Sequence, residues 1–564
     1  MPLPSWNRSH LAVPEPLTRP WPDRDAAHLL VSGEQMAALE NQLFSSGLPV
    51  EALMEKAALA VSRQLLDRHG ERLRCDGAVV LVGPGHNGGD GLVVARELHL
   101  AGVGVAVWSP FTRHKPLTAA HLNHALWLGV PQLEAAPDPA GAALWIDALF
   151  GIGQHRRPGA DLEALLSERQ RHRPGGLVAI DVPTGLCADR GHCLGTAAAR
   201  ASHTYCLGLL KQGLVQDRAL AWVGQLVLLD LGLPARLLAD LPADQPLALG
   251  RGDLAAGPWP RPDPAAAKYE RGRLLMVAGS RRFRGAARLT LAGASASGCG
   301  SLRAALCAEV GEAVWPLLPH VVLDAPLGCA PSGALALASL PAAALQRLDA
   351  LLVGPGLGEL QAGIGNGDTS AGDGDAWSLL QGFRGLLVLD ADGLNRLAGR
   401  AEGASAWLRG RQGPTWLTPH RQEFNRLFPD LQALLPLEAA MAASRCCGAA
   451  VLLKGAHSVV AGPHGERWQM TDTAGAAARA GLGDVLAGYA AGLGALAAAA
   501  DESAAGNPAV LALAALAHGT AGLQRAGRGT GAASPSAVAR ELCRQDREGQ
   551  GREGRAGAHV LFCK

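Results

Sequence analysis

TAGAAARAGLGDVLAGYAAGLGAL, Thr473 to Leu496, decides how the second half of this chain folds. A glycine turn, Gly481-Leu482-Gly483, runs into one carboxylate, Asp484, and then into an Ala- and Leu-rich run that reads as a buried helix. Glycines at 481 and 483 permit positive φ and close backbone approach, so N–H groups at the helix mouth can converge on an anion, with phosphate the first candidate. Asp484 stands beside that mouth, where a carboxylate can take the proton of a hydroxyl about to be phosphorylated. Alone, the same pattern also describes a helix start with an Asp cap. The apolar run from Val485 is mostly Ala, is broken by Gly488, Gly492 and Gly494, and ends at Asp501-Glu502, which marks a core helix rather than a membrane span.

Around this stretch lie 564 residues, 48% hydrophobic and 18% charged with 72 glycines, a globular composition too long for one ordinary core and suited to two large α/β units. The net charge of +1 supplies no bulk field to gather nucleic acid or an acidic membrane, and aromatics at 4% argue against stacking platforms for bases. The expected partner is a small molecule. Eleven cysteines, scattered and odd in number, fit reduced thiols in the cytoplasm better than a disulfide framework. The start, MPLPSWNRSHLAVPEPLTRPWPDRD, is rich in Pro and charge with no apolar h-region, so residues 1–28 are read as a flexible leader and not a secretory signal.

Helical spacing begins near Ser32, with Met36, Leu39 and Leu43, then Leu53, Ala57, Val61 and Leu65 on either side of a Gly-Leu-Pro break; Ser32 with Gln35 forms a capping box. Ala78–Val82 is a wholly apolar strand of the parallel-sheet kind, and helical spacing resumes over Leu92–Leu100. Between them lies a glycine loop, Gly83-Pro84-Gly85-His86-Asn87-Gly88-Gly89-Asp90-Gly91, which lacks the G-x-G-x-x-G dinucleotide spacing but has the strand, loop, helix order that presents N–H groups to phosphate. Two further strands end in polar groups: Asp147 follows Leu144–Ile146 and Asp181 follows Leu177–Ile180. In a doubly wound sheet such strand ends share one crevice, so Asn87, Asp147 and Asp181 are expected to converge.

GPGHNGGDG, DALFGIG and DVPTGL together resemble the YjeF N-terminal, NAD(P)H-hydrate epimerase family over roughly residues 30 to 235. That resemblance implies a Rossmann-like three-layer fold binding the hydrated nicotinamide nucleotide and a K+ ion. It further implies cation ligands at Asn87, Asp147 and Thr184, a nucleotide site at Gly88, Gly89, Asp90 and the Gly151 to Arg157 loop, and Asp181 nearest the chemistry. Oxygen-only ligands of mixed charge suit a hard, weakly hydrated cation. Epimerisation needs proton transfer whether the hydroxyl leaves and returns or the ring opens, and Asp181 is the acid/base candidate. His86 stands where the family usually has Asn, and Thr184 where it often has Ser.

Seven prolines from Pro234 to Pro264 mark the junction, with 236–264 read as a linker. Arg273–Ala278 then reads as a strand, followed by Gly279-Ser280, an Arg-rich loop and a small-residue helix from about Ala286, where small residues suit tight packing against a neighbour. LDALLVGPGLG ends a strand in Gly354, Gly356 and Gly358; residues 362–377 read as a polar, flexible insertion. GLLVLDADGLN brings Asp390, Asp392 and Asn395 to a strand end, TWLTPHRQEF brings His420 and Glu423, and AAVLLKGAHSVVAG brings Lys454, which at a strand end is a partner for phosphate or a surface lysine.

VAGS, GPGLG, LDADGLN, LTPHRQEF, LLKG and GLGDVLAG, in that order, resemble the ADP-dependent NAD(P)H-hydrate dehydratase family, a ribokinase-like fold, over roughly residues 265 to 540. The resemblance implies that Lys454 and the Gly481 to Gly483 turn contact ADP phosphates, that His420 and Gly356 line the hydrate site, and that Asp484 is the catalytic base. Ala480 and Leu482 stand where the family has Gly and Thr. A divalent ion such as Mg2+ has a place in neutralising phosphate charge. The sequence thus reads as α/β throughout: two three-layer αβα domains, Rossmann-like over 29–235 and ribokinase-like over 265–540, with a charged tail at 541–564. The function it implies is repair of hydrated NADH and NADPH by epimerisation and ADP-driven dehydration, with homo-oligomers allowed and neither nucleic acid nor membrane as partner. The competing readings are a ribokinase-like small-molecule kinase with an accessory N-domain and a nucleotide-binding sensor with degenerate sites.

Overall fold

A computed structural model describes residues 21–324, 326–359, 373 and 375–548. In the first half, six short apolar runs form an all-parallel sheet in the order Val105–Trp108, Ala78–Val82, Leu144–Ala148, Leu177–Ile180, His203–Leu207, Gln225–Leu229. Side chains alternate across it as strand geometry requires. Val80, Val82, Val178 and Ile180 pack with the helices Val50–Asp76 and His86–Leu100, while Leu81, Leu177 and Ala179 pack with Leu162 and Leu166 of the helix Ala160–His172. Helices on both faces make the expected three layers. Ala78–Val82 lies between strands that follow it in the chain, so the order reverses there and a crevice opens at its carboxyl end.

The segment expected as a glycine loop is already helix: Gly85 is the N-cap and the helix runs His86–Leu100. A Cβ on Gly88 would lie 2.0 Å from the Gly83 carbonyl oxygen, on Gly89 2.6 Å from Met54 Cε, and on Gly91 2.4 Å from Ala148 Cβ. These glycines let the first turns press against the strand ends, at a helix cost of about 0.5–1 kcal/mol each.

The second half is built on a ten-stranded sheet, in the order Val322–Leu323, Ser301–Ala305, Arg273–Val277, Ala350–Val353, Leu386–Leu389, Thr415–Leu417, Ala450–Leu453, Val459–Ala461, Arg467–Met470, Leu247–Leu249. It is parallel except for Val459–Ala461, which runs against both neighbours. The helix Leu482–Ala500 is long and apolar enough to cross a membrane, but 72% of that stretch is buried inside the protein. It lies along the small-residue helix Arg284–Ala296 so closely that a Cβ on Gly293 would sit 2.1 Å from the Val485 carbonyl oxygen and one on Gly488 1.9 Å from that of Thr290.

Four boundaries move. Leu247–Leu249, read as linker, is the edge strand of the larger sheet, paired in parallel with Trp468–Met470, because its alternating apolar residues complete a core the prolines only bracket. Within the leader, residues 21–28 are docked: Trp21 Nε1 donates to the Asp253 carbonyl at 3.1 Å, and His28 bridges Asp25 and Asp253. In the presumed insertion, Asp373 is buried, pairing with Arg396 at 2.8 Å and accepting from Trp377 Nε1 at 2.9 Å, and a helix starts at Ala376; residues 362–372 and 374 lie outside the described residues. The charged tail is helical as far as Glu548, in the helix Pro535–Glu548, where Leu542 is buried and Glu541 pairs with Arg525 at 2.5 Å; residues 549–564 lie outside the described residues.

Candidate active sites

In the first half, the strand Leu177–Ile180 delivers Asp181 in a strained conformation, φ +65°, at the point where the chain must turn sharply off the sheet. Its N–H donates to the Tyr205 carbonyl at 2.8 Å, and Oδ1 accepts from the Leu207 N–H at 3.3 Å and from the Nζ of Lys211. Lys211 is almost wholly buried and also donates to the Leu207 carbonyl at 2.8 Å. The strand Leu210–Lys211 pairs with Leu30–Val31, which starts the helix Gly33–Ser45 and so carries Glu40 into the field of Asp181 and Lys211. Burial, then the Asp181 charge, pushes Glu40 up to about 7. Asp90 is pushed well above the carboxylate range by burial and then by Asp181 and Glu40. Asp181 and Glu40 therefore share one lysine, with Asp90 in the field of both carboxyl groups, a setting in which a proton can be held near neutral pH.

Beside them, Thr184 donates its Oγ1 proton to Asp147 Oδ1 at 2.7 Å and its N–H to Oδ2 at 2.8 Å, while Leu149 N–H reaches Oδ1 at 3.3 Å. Even so, burial pushes Asp147 up to about 6. Both amide atoms of Asn87 are buried without a hydrogen-bond partner among the described residues. Across the position a Gly151 Cβ would take, Asn87 Cβ lies at 3.5 Å and Asp181 Oδ2 at 3.3 Å. An orphaned amide, a buried carboxylate and a hydroxyl with free lone pairs supply the hard oxygen donors a K+ ion would take, so the residues fit that cation. Gly88 and Gly89 serve helix packing, as above. Arg157 is turned toward Glu163 at 2.8 Å and lines a cavity of about 790 Å³ with Trp108, Phe111 and Phe150.

In the second half, Gly481 caps the helix Leu482–Ala500 with φ +91°, a conformation that favours glycine, and Asp484 sits in the first turn. Burial pushes Asp484 up to about 6, Asp390 and Asp392 add to the rise, and Lys454 opposes it. Lys454 Nζ donates to Asp390 Oδ1 at 2.7 Å, and Thr418 Oγ1 to the same oxygen at 2.9 Å. Burial acts to lower Lys454, but Asp390, Glu423 and Asp484 hold it above the usual lysine value. Asp392 Oδ2 accepts from Gly358 N–H at 2.8 Å and so ties the Gly354–Gly358 turn to this cluster. Between the two aspartates, Ala391 has φ +49°, a second strained strand end. His420 caps the helix Arg421–Leu427, its Nδ1 accepting from Gln422 and Glu423 N–H at 3.1 and 3.3 Å, which leaves Nε2 as the donor toward Glu423 Oε1 at 3.3 Å. His420 is bridged through the backbone to Lys454.

Gly356, φ +66°, is required by packing, since its Cβ would lie 2.6 Å from Ala286 Cβ. Among the described residues, a Cβ on Gly483 would meet only Lys454 Nζ, at 3.5 Å. Behind the mouth, burial pushes the imidazole of His518 down to about 4, with the nearby Leu482 backbone opposing the drop.

Asp484, Lys454 and His420 are thus drawn together as the motifs suggest. Reasoning from sequence did not single out Lys211, Glu40, Thr418 or His518. A lone lysine inside the apolar stretch Leu207–Leu214 was the available signal for Lys211.

Compared with known proteins, residues 50–213 match the family described as YjeF-related protein N-terminus, and residues 274–543 the family described as NAD(P)H-hydrate dehydratase. The bifunctional NAD(P)H-hydrate repair enzyme Nnr of Gloeobacter violaceus is 43% identical over 473 residues, covering 83% of this chain and 88% of that protein. The enzyme of the same description from Synechocystis sp. is 40% identical over 482 residues, covering 85% and 87%. A solved ADP/ATP-dependent NAD(P)H-hydrate dehydratase from Bacillus subtilis, co-crystallized with ATP/Mg2+, aligns at 23% identity over 53% of this chain and 97% of its own, with a TM-score of 0.42.

Proposed function

The chain belongs to the bifunctional NAD(P)H-hydrate repair enzymes, and from that premise we propose that its first half interconverts the R and S hydrates of NADH and NADPH while its second half dehydrates the S form, converting ADP to AMP and phosphate. The observation that carries the reading is Asp484, a carboxylate at a glycine-turned helix mouth, pushed up to about 6 and facing the Lys454–Asp390 pair.

In the dehydratase half, Asp484 takes the proton of the hydrate hydroxyl as that oxygen attacks the terminal phosphorus of ADP, and the bond to AMP breaks. Helix-mouth N–H groups and Lys454 stabilise the charge on the moving phosphoryl group. Phosphate then leaves the ring, the adjacent carbon loses a proton, and conjugation returns. His420, and the turn carrying Gly356, wall the hydrate side. Mg2+, where used, would travel with the nucleotide rather than sit in a preformed cage.

In the epimerase half, Asp181 exchanges the proton, with Lys211 fixing its orientation. Asn87, Asp147 and Thr184 would hold K+, which when bound neutralises the Asp147 carboxylate. Gly88, Gly89, Asp90, Gly151 and Arg157 flank the nucleotide side. Scattered free thiols fit a cytoplasmic setting.

The test is to give the protein a mixture of R and S NADH hydrates with ADP and follow NADH absorbance. Full recovery is expected. No recovery beyond buffer removes the dehydratase assignment, and recovery of the S fraction alone removes the epimerase.

A further inference from the structure

The turn that carries Lys454 is held from the other half of the chain. Asp217 Oδ2 accepts from the Ala456 N–H at 3.0 Å and Oδ1 from the His457 N–H at 2.7 Å. Position 455 is glycine for the same reason: a Cβ there would lie 2.8 Å from Asp217 Oδ2. Next to this contact, Gln469 Nε2 donates to the Val215 carbonyl at 2.7 Å and Gln216 Nε2 to Gln469 Oε1 at 3.3 Å, both buried. At its other end the same strip begins at Lys211, the partner of Asp181, and reaches Asp217 through the 3-10 turn Gln212–Val215.

We propose that Asp217 is a positioning residue for dehydration: by capping two N–H groups of the Lys454–Ser458 turn, it fixes the direction in which Lys454 meets the nucleotide phosphates. The inference rests on the ADP-dependent reading above. An aspartate that accepts from two successive backbone N–H groups locks the plane of both peptides, whereas water would leave them free. Burial acts to raise the Asp217 carboxyl, but its contacts with His457 and Ala456 hold it below the usual range, so the clamp stays charged at neutral pH. The side chain is half-exposed, which limits the effect to a modest one. Docking of the epimerase half thereby becomes part of the dehydratase site.

The experiment uses the full chain with S hydrate and ADP, measuring KM for ADP, kcat, the epimerase rate and thermal unfolding in Asp217→Ala, Asp217→Asn and Gly455→Ala. Asp217→Ala should raise KM for ADP about fivefold to tenfold with a smaller change in kcat, less than the full loss of a charged hydrogen bond because the clamp is half-exposed. Asp217→Asn, which keeps one acceptor oxygen, should fall between it and wild type, and Gly455→Ala should move KM the same way; the epimerase rate should stay unchanged. An unchanged or lower KM in Asp217→Ala overturns the proposal. So does a parallel fall of both activities with KM constant, the mark of lost folded protein. A wild type that recovers no NADH overturns the function itself, whereas an active wild type with an indifferent Asp217→Ala overturns only the role of Asp217.

Discussion

The two halves solve the same local problem and use it differently. In each, a four-residue buried strand is followed by an aspartate, the chain turns through positive φ, at Asp181 (+65°) in one and Ala391 (+49°) in the other, and a lysine in a later strand or just past its end pairs with the aspartate. In the first half the lysine is the enclosed partner: Lys211 is 1% exposed and Asp181 10%. In the second the order is reversed, with Lys454 19% exposed and Asp390 2%. The enclosed member is scaffold and the outer one can meet a ligand. On the proposed function, proton exchange uses a carboxylate at the surface of the crevice, whereas phosphoryl transfer uses a cation there and takes its base from elsewhere, the proposed Asp484.

The division predicts its largest effect at the two proposed bases. Asp484→Asn should lower dehydratase kcat by about 10²–10⁴ and leave epimerisation intact, and Asp181→Asn should do the reverse. The NADH recovery assay, run with pure S hydrate and then with R hydrate, separates the two. Loss of both activities in either variant would break the comparison.

Next come the lysines. Lys211→Met leaves the buried Asp181 carboxylate, among the described residues, with only the Leu207 N–H, at 3.3 Å. A cost of about 3–5 kcal/mol is expected for such an uncompensated charge. Lys454→Met leaves Asp390 its bond from Thr418, at 2.9 Å. Its cost should be nearer about 1–3 kcal/mol, with KM for ADP raised. Calorimetry that resolves the unfolding of each half is the measurement, and equal losses would mean that exposure does not distinguish the pairs.

This asymmetry marks where the sequence could be read and where it could not. Asp181, Asp147, Asn87 and Asp484 were legible because each stands at a strand or helix end beside glycines, and glycine leaves a spoor in any sequence. Lys211, Glu40 and His518 lie inside regular apolar or amphipathic stretches, and what makes each one matter is a partner far away in the chain: Asp181 for the first two, the Leu482 backbone for the third. The helix start at His86 was hidden for a related reason. NGGDG is poor helix former by propensity, and only the closeness of Gly83, Met54 and Ala148 shows why the helix begins there. Prolines likewise masked the edge strand Leu247–Leu249, whose pairing with Trp468–Met470 spans the chain.

A smaller effect is the pH profile. The base must be ionised, and burial with the Asp390 charge holds Asp484 at about 6, so dehydratase kcat/KM should fall as pH drops through about 6. Asp390→Asn removes a negative neighbour that favours the protonated form, so the acid limb should move to lower pH even as the maximum rate falls. A limb that stays in place would detach Asp484 from the Asp390–Lys454 pair.

The smallest effect separates the two glycine turns. Gly88→Ala would drive a methyl to 2.0 Å from a backbone oxygen, whereas Gly483→Ala would meet, among the described residues, only the end of Lys454 at 3.5 Å, and position 483 is helical. By conformational entropy alone, Gly483→Ala should stabilise the second half by about 0.5–1 kcal/mol. If Gly483 were there only for the turn, KM for ADP would then be unchanged. If the space above it belongs to a phosphate, the methyl occupies that space, and KM should rise about threefold to tenfold while the unfolding temperature goes up, a contact being lost to the ligand and not to the fold. Stability and affinity moving in opposite directions is an outcome that packing cannot produce, so this mild substitution tests the anion site more cleanly than the loss of Lys454, where charge, packing and pairing all change together.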